Sequence, residues 1–480
     1  MQGHHPDFDD ELSEPAAAFA IVGLGVMGRS LAENLHAQNL PVIAYSYSEA
    51  ERVDVRERFP NLRVNETLSG LVGELTTPRV VFLMVTAGEA VDQVLSDLRP
   101  LLEPGDVVID GGNSHFQDSQ RRSASLADAG LVFMGTGVSG GEEGARTGAS
   151  VMVGGARAGF ERAETLFNAI SCEARGEPCY GWMGEGGAAH FVKMVHNGIE
   201  YGIMQLIAEA YDFLRRGVGL ETAQIHRWFE AHRAGPLSSY LMDITTQILA
   251  TPDDLGGGLL LDKIADRAGQ KGTGRWTVDA AMELGVAVPA ITAAVTQRQI
   301  SAMVGERQTG ERVLREMVAP VALDSWGEDL ASALLSAVMA TYAQGLQLIE
   351  AASNEYEWGT DVCAAVRLWR GGCIIRARVL DEIIDALLQE GAQTNLLLSS
   401  AIAPSILDLL PACRRVVGGA IAGGVPAPAL SGCLAYIDSL RSARLPTNLI
   451  QAQRDFFGAH TYQRVDRAGA FHTQWGDELS

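Results

Sequence analysis

The chain has 480 residues, of which 47% are hydrophobic, and this length and composition predict a soluble globular protein of two or three domains. Its 59 acidic residues outnumber its 37 basic residues, and the net charge of −22 argues against binding to nucleic acid or to an anionic membrane. Its six cysteines form neither a CxxC pair nor a Cys/His cluster, which predicts reduced cytoplasmic thiols rather than a zinc site or a disulfide framework.

The first part of the chain predicts an acidic leader followed by an α/β domain. Residues 1–17 contain no Lys or Arg and are expected to be disordered, unlike a signal peptide. Over residues 18–187, short apolar runs alternate with helical patterns, which predicts a Rossmann-like dinucleotide-binding domain with a parallel sheet. The predicted strands are residues 18–22, 41–45, 80–85, 107–110, 132–134 and 150–153.

A glycine motif follows the first predicted strand and precedes a helix predicted over residues 27–38. Gly23 permits a tight turn, Gly25 admits the pyrophosphate of a dinucleotide close to the backbone, and Gly28 lets the helix pack on the strand. The motif also contains Val26 and Met27, at the predicted helix N terminus, where free N–H groups favour phosphate.

The end of the second predicted strand leaves NAD and NADP as open alternatives. An acid there binds the ribose 2′-hydroxyl of NAD, and a basic residue accommodates the 2′-phosphate of NADP. The sequence has Ser46, Tyr47 and Ser48 at this point, and hydroxyls can bond either ribose. Arg52 is the one residue nearby that can pair with a phosphate, and two acids lie beside it.

From residue 188 onward helical periodicity dominates, with long segments over residues 190–216, 329–352 and 373–388. We predict an all-α domain over residues 188–445 and a C-terminal tail over residues 446–480. Residues 416–437 are long enough to span a membrane, but their prolines and glycines predict a helix, a turn and a second helix.

The first helical segment carries a candidate acid/base face. Helical spacing places Lys193, Asn197, Glu200 and Tyr201 on one side of an otherwise apolar helix. Such polar groups are costly to bury unless they are paired or used, although a solvated face is the alternative. Glycines before and within the segment let a ligand approach, so we expect Lys193 to be a base and Glu200 an acid.

Further candidates lie in loops around this helix. Asn113 and Ser139 lie in glycine-rich stretches that follow the strands at residues 107 and 132, where doubly wound sheets bind ligands. Glycines around Lys271 and Thr273 suggest an anion site, with a solvated surface loop as the alternative. On composition alone, the aromatic-rich tail is a structural anchor.

Together these motifs resemble the 6-phosphogluconate dehydrogenase family over nearly the whole chain. The matching strings lie at the glycine motif and at residues 110–114, 138–145, 191–202, 268–274, 369–376 and 449–462. The resemblance implies oxidation and decarboxylation of 6-phospho-D-gluconate to D-ribulose 5-phosphate and CO2, with reduction of NAD or NADP. Lys193 would take the proton of the 3-hydroxyl, Glu200 would protonate the enediol carbon, and no metal would be needed.

The resemblance also implies the residues that hold each ligand. The sugar acid would contact Asn113, Ser139, Gly140, Gly141, His196 and Asn197. Its phosphate would contact Tyr201, Lys271, Thr273 and Arg298, and Arg454 and His460 would reach in from the partner subunit of a homodimer. The cofactor would contact the glycine motif, Ser46, Tyr47, Ser48, Val85, Thr86, Ala87 and Asn113.

The chain departs from the family pattern near the cofactor ribose. The family string Asn-Arg-Thr is Ser46, Tyr47 and Ser48 here, a commonly basic position is Glu51, and Val-Lys-Ala-Gly has Thr86 for its lysine. Loss of a guanidinium partner costs a phosphate about 1.5–3 kcal/mol. We therefore expect NAD to be used at least as well as NADP.

Two other functions fit the same fold. A non-catalytic sugar-phosphate sensor would be expected to lose one member of the acid/base pair, whereas both Lys193 and Glu200 are present. A simpler β-hydroxyacid dehydrogenase would not need the predicted phosphate-binding residues, and its chain would end long before residue 480.

Overall fold

The computed structural model describes residues 17–315, 320–321, 325–391 and 395–476, so nearly all of the predicted acidic leader lies outside the described residues. These residues form two compact units, which divide between Cys433 and Leu434. Ala17, predicted to belong to the leader, is buried and bridges to Leu75, with its N–H donating to Glu74 at 3.0 Å. Ala17 is therefore packed against the sheet domain.

Twelve strands are present in the described residues. Their bounds are β1 Phe19–Val22, β2 Val42–Tyr45, β3 Arg63–Val64, β4 Val80–Leu83, β5 Val107–Asp110, β6 Val132–Ser139, β7 Ser150–Gly155, β8 Glu173–Ala174, β9 Glu177–Pro178, β10 Tyr180–Gly184, β11 Tyr462–Gln463 and β12 Ala470–Phe471.

Eight of these strands form one sheet in the order β10-β7-β6-β5-β4-β1-β2-β3. The run from β3 to β6 has the strand order of a Rossmann fold, which confirms the predicted dinucleotide-binding class. The prediction of a parallel sheet fails at one pairing, because β7 runs antiparallel to β6. Side chains alternate between the two faces of a strand whichever way the strand runs, so the direction of β7 could not be predicted from its residue pattern.

The sheet is buried on both faces because its central strands are continuously apolar. Ile21, Phe82 and Ile109 face one layer of helices, whereas Val22 and Val81 face the other.

Twenty α-helices are described. Their bounds are α1 Val26–Ala37, α2 Glu49–Arg58, α3 Leu68–Gly73, α4 Glu89–Leu98, α5 Phe116–Ala127, α6 Gly141–Thr147, α7 Arg157–Arg162, α8 Glu164–Ile170, α9 Ala188–Asp212, α10 Thr222–His232, α11 Tyr240–Ala250, α12 Thr273–Glu283, α13 Pro289–Ala302, α14 Val304–Val313, α15 Trp326–Glu355, α16 Val362–Leu368, α17 Val379–Glu390, α18 Ala403–Ala422, α19 Pro428–Leu440 and α20 Thr447–Gly458.

The predicted helical region is confirmed, with two differences in detail. The segment predicted over residues 373–388 becomes helical only at Val379, because the residues before it form bends and turns and Ala377 bridges to Ser239. The tail predicted over residues 446–480 has no helical periodicity in its sequence as a whole, but it contains α20 and the hairpin of β11 and β12.

Two apolar segments raise the question of a membrane. The segment over residues 416–437 is interrupted between Ala422 and Pro428, as its prolines and glycines predicted. Among the described residues, helix α15 alone is long and apolar enough to cross a bilayer, and 83% of its most apolar window is buried inside the protein.

Candidate active site

Helix α9 carries the candidate acid/base residues and lies against β6 and β7. Gly135, Gly137 and Gly154 lie where these elements meet. A Cβ at Gly137 would lie 2.4 Å from the Cβ of Lys193, one at Gly135 would lie 2.8 Å from His190, and one at Gly154 would lie 2.9 Å from Ala189. These contacts are closer than side chains permit, so glycine allows α9 to approach the sheet.

Lys193 is the buried member of the chain's three lysines, with 6% of its surface exposed. Its Nζ donates to Asn197 Oδ1 at 2.7 Å, one helical turn further along. Burial lowers the pKa of Lys193, an effect partly opposed by the carboxylate of Glu200. A lysine whose uncharged form is favoured in this way can accept a proton from a substrate hydroxyl.

Glu200 lies two turns after Lys193, as helical spacing predicted. Burial raises the pKa of its carboxyl, while the cations of Lys193 and Arg298 act in the opposite direction. Burial therefore lowers the pKa of the candidate base, Lys193, and raises that of the candidate acid, Glu200. Paired shifts of this kind allow one site to remove a proton and to donate another near neutral pH.

A chain of polar contacts connects the sheet to α9. Ser139 ends β6, and its hydroxyl lies 3.2 Å from His196 Nε2, while His196 Nδ1 lies 3.1 Å from Asn197 Oδ1. Asn197 Nδ2 in turn donates to Thr273 Oγ1 at 3.3 Å. Burial and the charge of Lys193 lower the pKa of His196, so its ring is held neutral.

The stretch over residues 135–141 was predicted to be a loop, but β6 continues through it to Ser139. Its glycines are required by the packing of α9 rather than by a turn. The turn begins at Gly140, which has a φ of 114° and lies so close to Gly372 that a Cβ would be 2.4 Å from its carbonyl oxygen.

The predicted phosphate-binding residues lie partly together. The guanidinium of Arg298 lies 3.5 Å from the centre of the Tyr201 ring and donates to the Gly269 carbonyl at 3.0 Å. Thr273 begins α12 and is buried, whereas Lys271, two residues earlier, is exposed. Arg298, Tyr201 and Thr273 therefore surround one region, with Lys271 on a loop beside it.

The glycine motif forms the predicted cradle for a dinucleotide. Gly23 has a φ of 99°, and a Cβ on Gly28 would lie 1.9 Å from the Gly23 carbonyl oxygen, so only glycine fits either position. Gly25 caps α1, and Val26 and Met27 follow at the N terminus with Val26 exposed. The free N–H groups of that turn fit a pyrophosphate.

The loops after β4 and β5 border this cradle. A Cβ on Gly23 would lie 2.8 Å from the side chain of Val85, which places Val85 beside the glycine motif, and the predicted contacts Thr86 and Ala87 follow it in the same loop. Asn113 is exposed on the loop after β5. Asp110 anchors that loop, because its carboxylate accepts from the Gly112 N–H at 3.1 Å and from the Ser114 hydroxyl at 2.6 Å.

Arg122, which was not among the predicted site residues, holds this loop in place from α5. Its side chain is 1% exposed and lies 3.2 Å from Asp110 and 2.9 Å from Asp92, and it also donates to the Gly88 carbonyl. An arginine in an amphipathic helix normally faces solvent, so helical spacing does not predict this role.

The remaining predicted residues, Arg454 and His460, belong to the second compact unit. Arg454 lies on α20 and donates to Gln451, and the His460 ring lies 6.0 Å from that of Phe457. Asp455, between them in the chain, is fully buried and accepts from the N–H groups of Thr461 and Thr473 and from His472 and Trp475. It ties the helix to the hairpin of β11 and β12.

Comparisons with known proteins agree with this geometry. Residues 18–184 match the family described as the NAD binding domain of 6-phosphogluconate dehydrogenase, and residues 189–475 match the 6-phosphogluconate dehydrogenase C-terminal domain. The decarboxylating 6-phosphogluconate dehydrogenase of Lactococcus lactis subsp. lactis is 45% identical over 96% of this chain and 99% of its own. The NADP(+)-dependent enzyme of Bacillus subtilis is 45% identical over 95% of this chain and 98% of its own.

Among solved structures, the chain is similar to Plasmodium falciparum 6-phosphogluconate dehydrogenase. The TM-score is 0.92 at 37% identity, with 96% of this chain and 100% of the other covered. That protein was solved in its apo form, with its cofactor NADP+ and with its substrate 6-phosphogluconate.

Proposed function

The chain belongs to the 6-phosphogluconate dehydrogenase family, and we propose that Lys193 and Glu200 are the base and the acid of its oxidative decarboxylation. The reaction converts 6-phospho-D-gluconate to D-ribulose 5-phosphate and CO2. The observation that carries the assignment is the position of Lys193 and Glu200 two turns apart on α9, where burial lowers the pKa of the first and raises that of the second.

A bound nicotinamide dinucleotide supplies the hydride acceptor for the first step. Lys193, whose uncharged form is favoured by burial, takes the proton of the 3-hydroxyl as the hydride leaves C3. The resulting ketone lies β to the carboxylate, so its oxygen can receive the electron pair when CO2 departs. Glu200, whose protonated form is favoured by burial, then delivers a proton to the carbon that lost CO2. Asn197 holds the lysine through its 2.7 Å hydrogen bond.

We assign the sugar acid to the end of β6 and the polar chain beside it. Ser139, Gly140 and Gly141 would contact the substrate from the sheet, His196 and Asn197 from α9, and Asn113 from the loop after β5. Because His196 is neutral, it can accept a hydrogen bond on one ring nitrogen and donate from the other. The phosphate would lie with Tyr201, Lys271, Thr273 and Arg298. Of these residues, Lys271 and Arg298 supply local positive charge in an acidic protein.

The cofactor is a nicotinamide dinucleotide, and we propose that NAD is used at least as well as NADP. In support, Tyr47, which replaces the arginine of the family string, is half exposed just after β2 and donates to Asp97 at 2.6 Å. It offers no positive charge to a 2′-phosphate. Ser46 and Ser48 make local hydrogen bonds within the same turn. Steady-state catalytic efficiency with each cofactor tests the proposal, which fails if NADP is strongly preferred.

We also propose a cytoplasmic homodimer in which Arg454 and His460 complete the site of the partner subunit. All six cysteines lie in the described residues and none forms a disulfide, as in a reducing compartment. Leu449, Ile450 and Phe457 of the tail unit are each more than half exposed, and exposed apolar side chains on one short segment are typical of an interface. A monomeric mass by light scattering together with full activity would overturn this assignment.

Four assays test the function against its alternatives: 6-phosphogluconate and unphosphorylated gluconate, each with NAD+ and with NADP+. Reduced cofactor and CO2 from the phosphorylated substrate alone are expected. No turnover in any assay would favour a sugar-phosphate sensor, and equal turnover of both substrates would favour a simpler β-hydroxyacid dehydrogenase. Lys193→Ala should abolish hydride transfer, whereas Lys263→Ala, at an exposed lysine, should not.

A further inference from the structure

Glu51 occupies an unusual place beside the dinucleotide cradle. It lies in the first turn of α2, which begins where β2 ends, and Ser48 caps that helix by accepting from the Glu51 N–H. Glu51 lies 23 positions after Gly28, close to the spacing of about 20 residues at which Rossmann folds place an acid for the ribose. The acid here comes from the helix after the strand rather than from the strand end.

The two carboxylate oxygens of Glu51 are held in different ways. Oε2 accepts from the Ser46 hydroxyl at 2.5 Å, which fixes the side chain against the end of β2. Oε1 is turned toward the glycine motif, where it lies 3.9 Å from the position of a Cβ built on Gly25. Gly25 is the glycine that lets the nucleotide approach the backbone, so Oε1 faces the space that the adenosine half would enter.

Arg52, the cation next to Glu51 in the chain, is already engaged. Arg52 donates to the Ser46 carbonyl at 2.6 Å and lies 3.3 Å from the Glu66 carboxylate, and its side chain is only 12% exposed. A phosphate at this position would meet the Glu51 carboxylate before it met a free guanidinium.

We infer that Glu51 binds the adenine-ribose diol through Oε1 and thereby determines preference for a dinucleotide without a 2′-phosphate. This inference rests on the proposed function and adds an attractive contact to the missing cations. A carboxylate accepts hydrogen bonds from vicinal hydroxyls but repels a phosphate at the same place. The preference is therefore built from attraction to one ligand and repulsion of the other.

Isothermal titration calorimetry of the full-length protein with NAD+ and with NADP+ measures this directly. Glu51→Gln should weaken NAD+ about tenfold to hundredfold, since a hydrogen bond to a charged group is lost, and should leave NADP+ unchanged or tighter. Glu49→Gln, an exposed acid in the same helical turn, should change neither affinity. Thermal unfolding of each variant checks that the fold is retained.

Unchanged NAD+ affinity in Glu51→Gln would overturn the inference, and so would equal weakening of both ligands, which would indicate a purely structural role. Glu51→Lys should reverse the preference by placing a cation at the ribose, and failure to strengthen NADP+ relative to NAD+ would also count against it. The titration involves no turnover. A protein that binds NAD+ through Glu51 yet forms no CO2 would refute the proposed reaction and leave this inference intact.

Discussion

Gly137→Ala should separate the position of the base from the stability of the fold. The added Cβ would lie 2.4 Å from Lys193 Cβ and 2.8 Å from its Cγ. Carbon atoms in contact normally lie about 3.5–4.0 Å apart, so α9 must move by about 1 Å. A displacement of that size can cost about 10²-fold in rate, and overpacking costs about 1–3 kcal/mol of unfolding free energy.

The assay compares kcat for 6-phosphogluconate with the unfolding free energy from urea titration. Gly73→Ala is the matched control, because Gly73 ends a helix and no atom lies within 4 Å of its built Cβ. We expect a large loss of kcat in a folded Gly137→Ala protein and little change in the control. An unchanged kcat would show that the contact between the sheet and Lys193 does not position the base.

Further predictions concern stability and pH. Arg122→Met should cost about 3–5 kcal/mol in urea unfolding because it leaves a buried carboxylate unpaired, whereas exposed Arg121→Met should cost less than about 1 kcal/mol. Burial lowers the pKa of Lys193, so kcat/KM should fall only as pH drops through that lowered value. Burial raises the pKa of Glu200, so its protonated form should persist above pH 4.5 and be lost as pH rises through the raised value. Burial acts to raise the pKa of Asp455, but its hydrogen bonds lower the pKa to about 2. The stabilisation that Asp455 gives to the tail is therefore complete above pH 3.8 and is lost as pH falls toward 2. Amide hydrogen exchange at acid pH would detect this loss.

The dinucleotide half was predictable because its signals are local. The turn at Gly23 and the contact of Gly28 with that turn depend on backbone conformation within six residues, which a sequence motif records directly. Helical spacing likewise placed Lys193 and Glu200 on one face.

Contacts between distant segments could not be predicted from spacing. Thr273 meets Asn197 across 76 positions of the chain, and the resemblance, rather than periodicity, brought them together. Gly135 and Gly137 were interpreted as loop glycines because glycine weakens strands. They lie inside β6 because a helix packs on them, and that cause is tertiary.

The glycine-lined contact between α9 and the sheet also limits how the protein can move. Gly135 and Gly137 of β6 and Gly154 of β7 lie directly against α9. A hinge between the sheet and this helix would therefore have to break the packing at all three glycines. The sheet that carries the glycine motif and the helix that carries Lys193 should therefore move together. We expect ligand entry and product release to depend instead on peripheral segments, such as the exposed loop that bears Lys271.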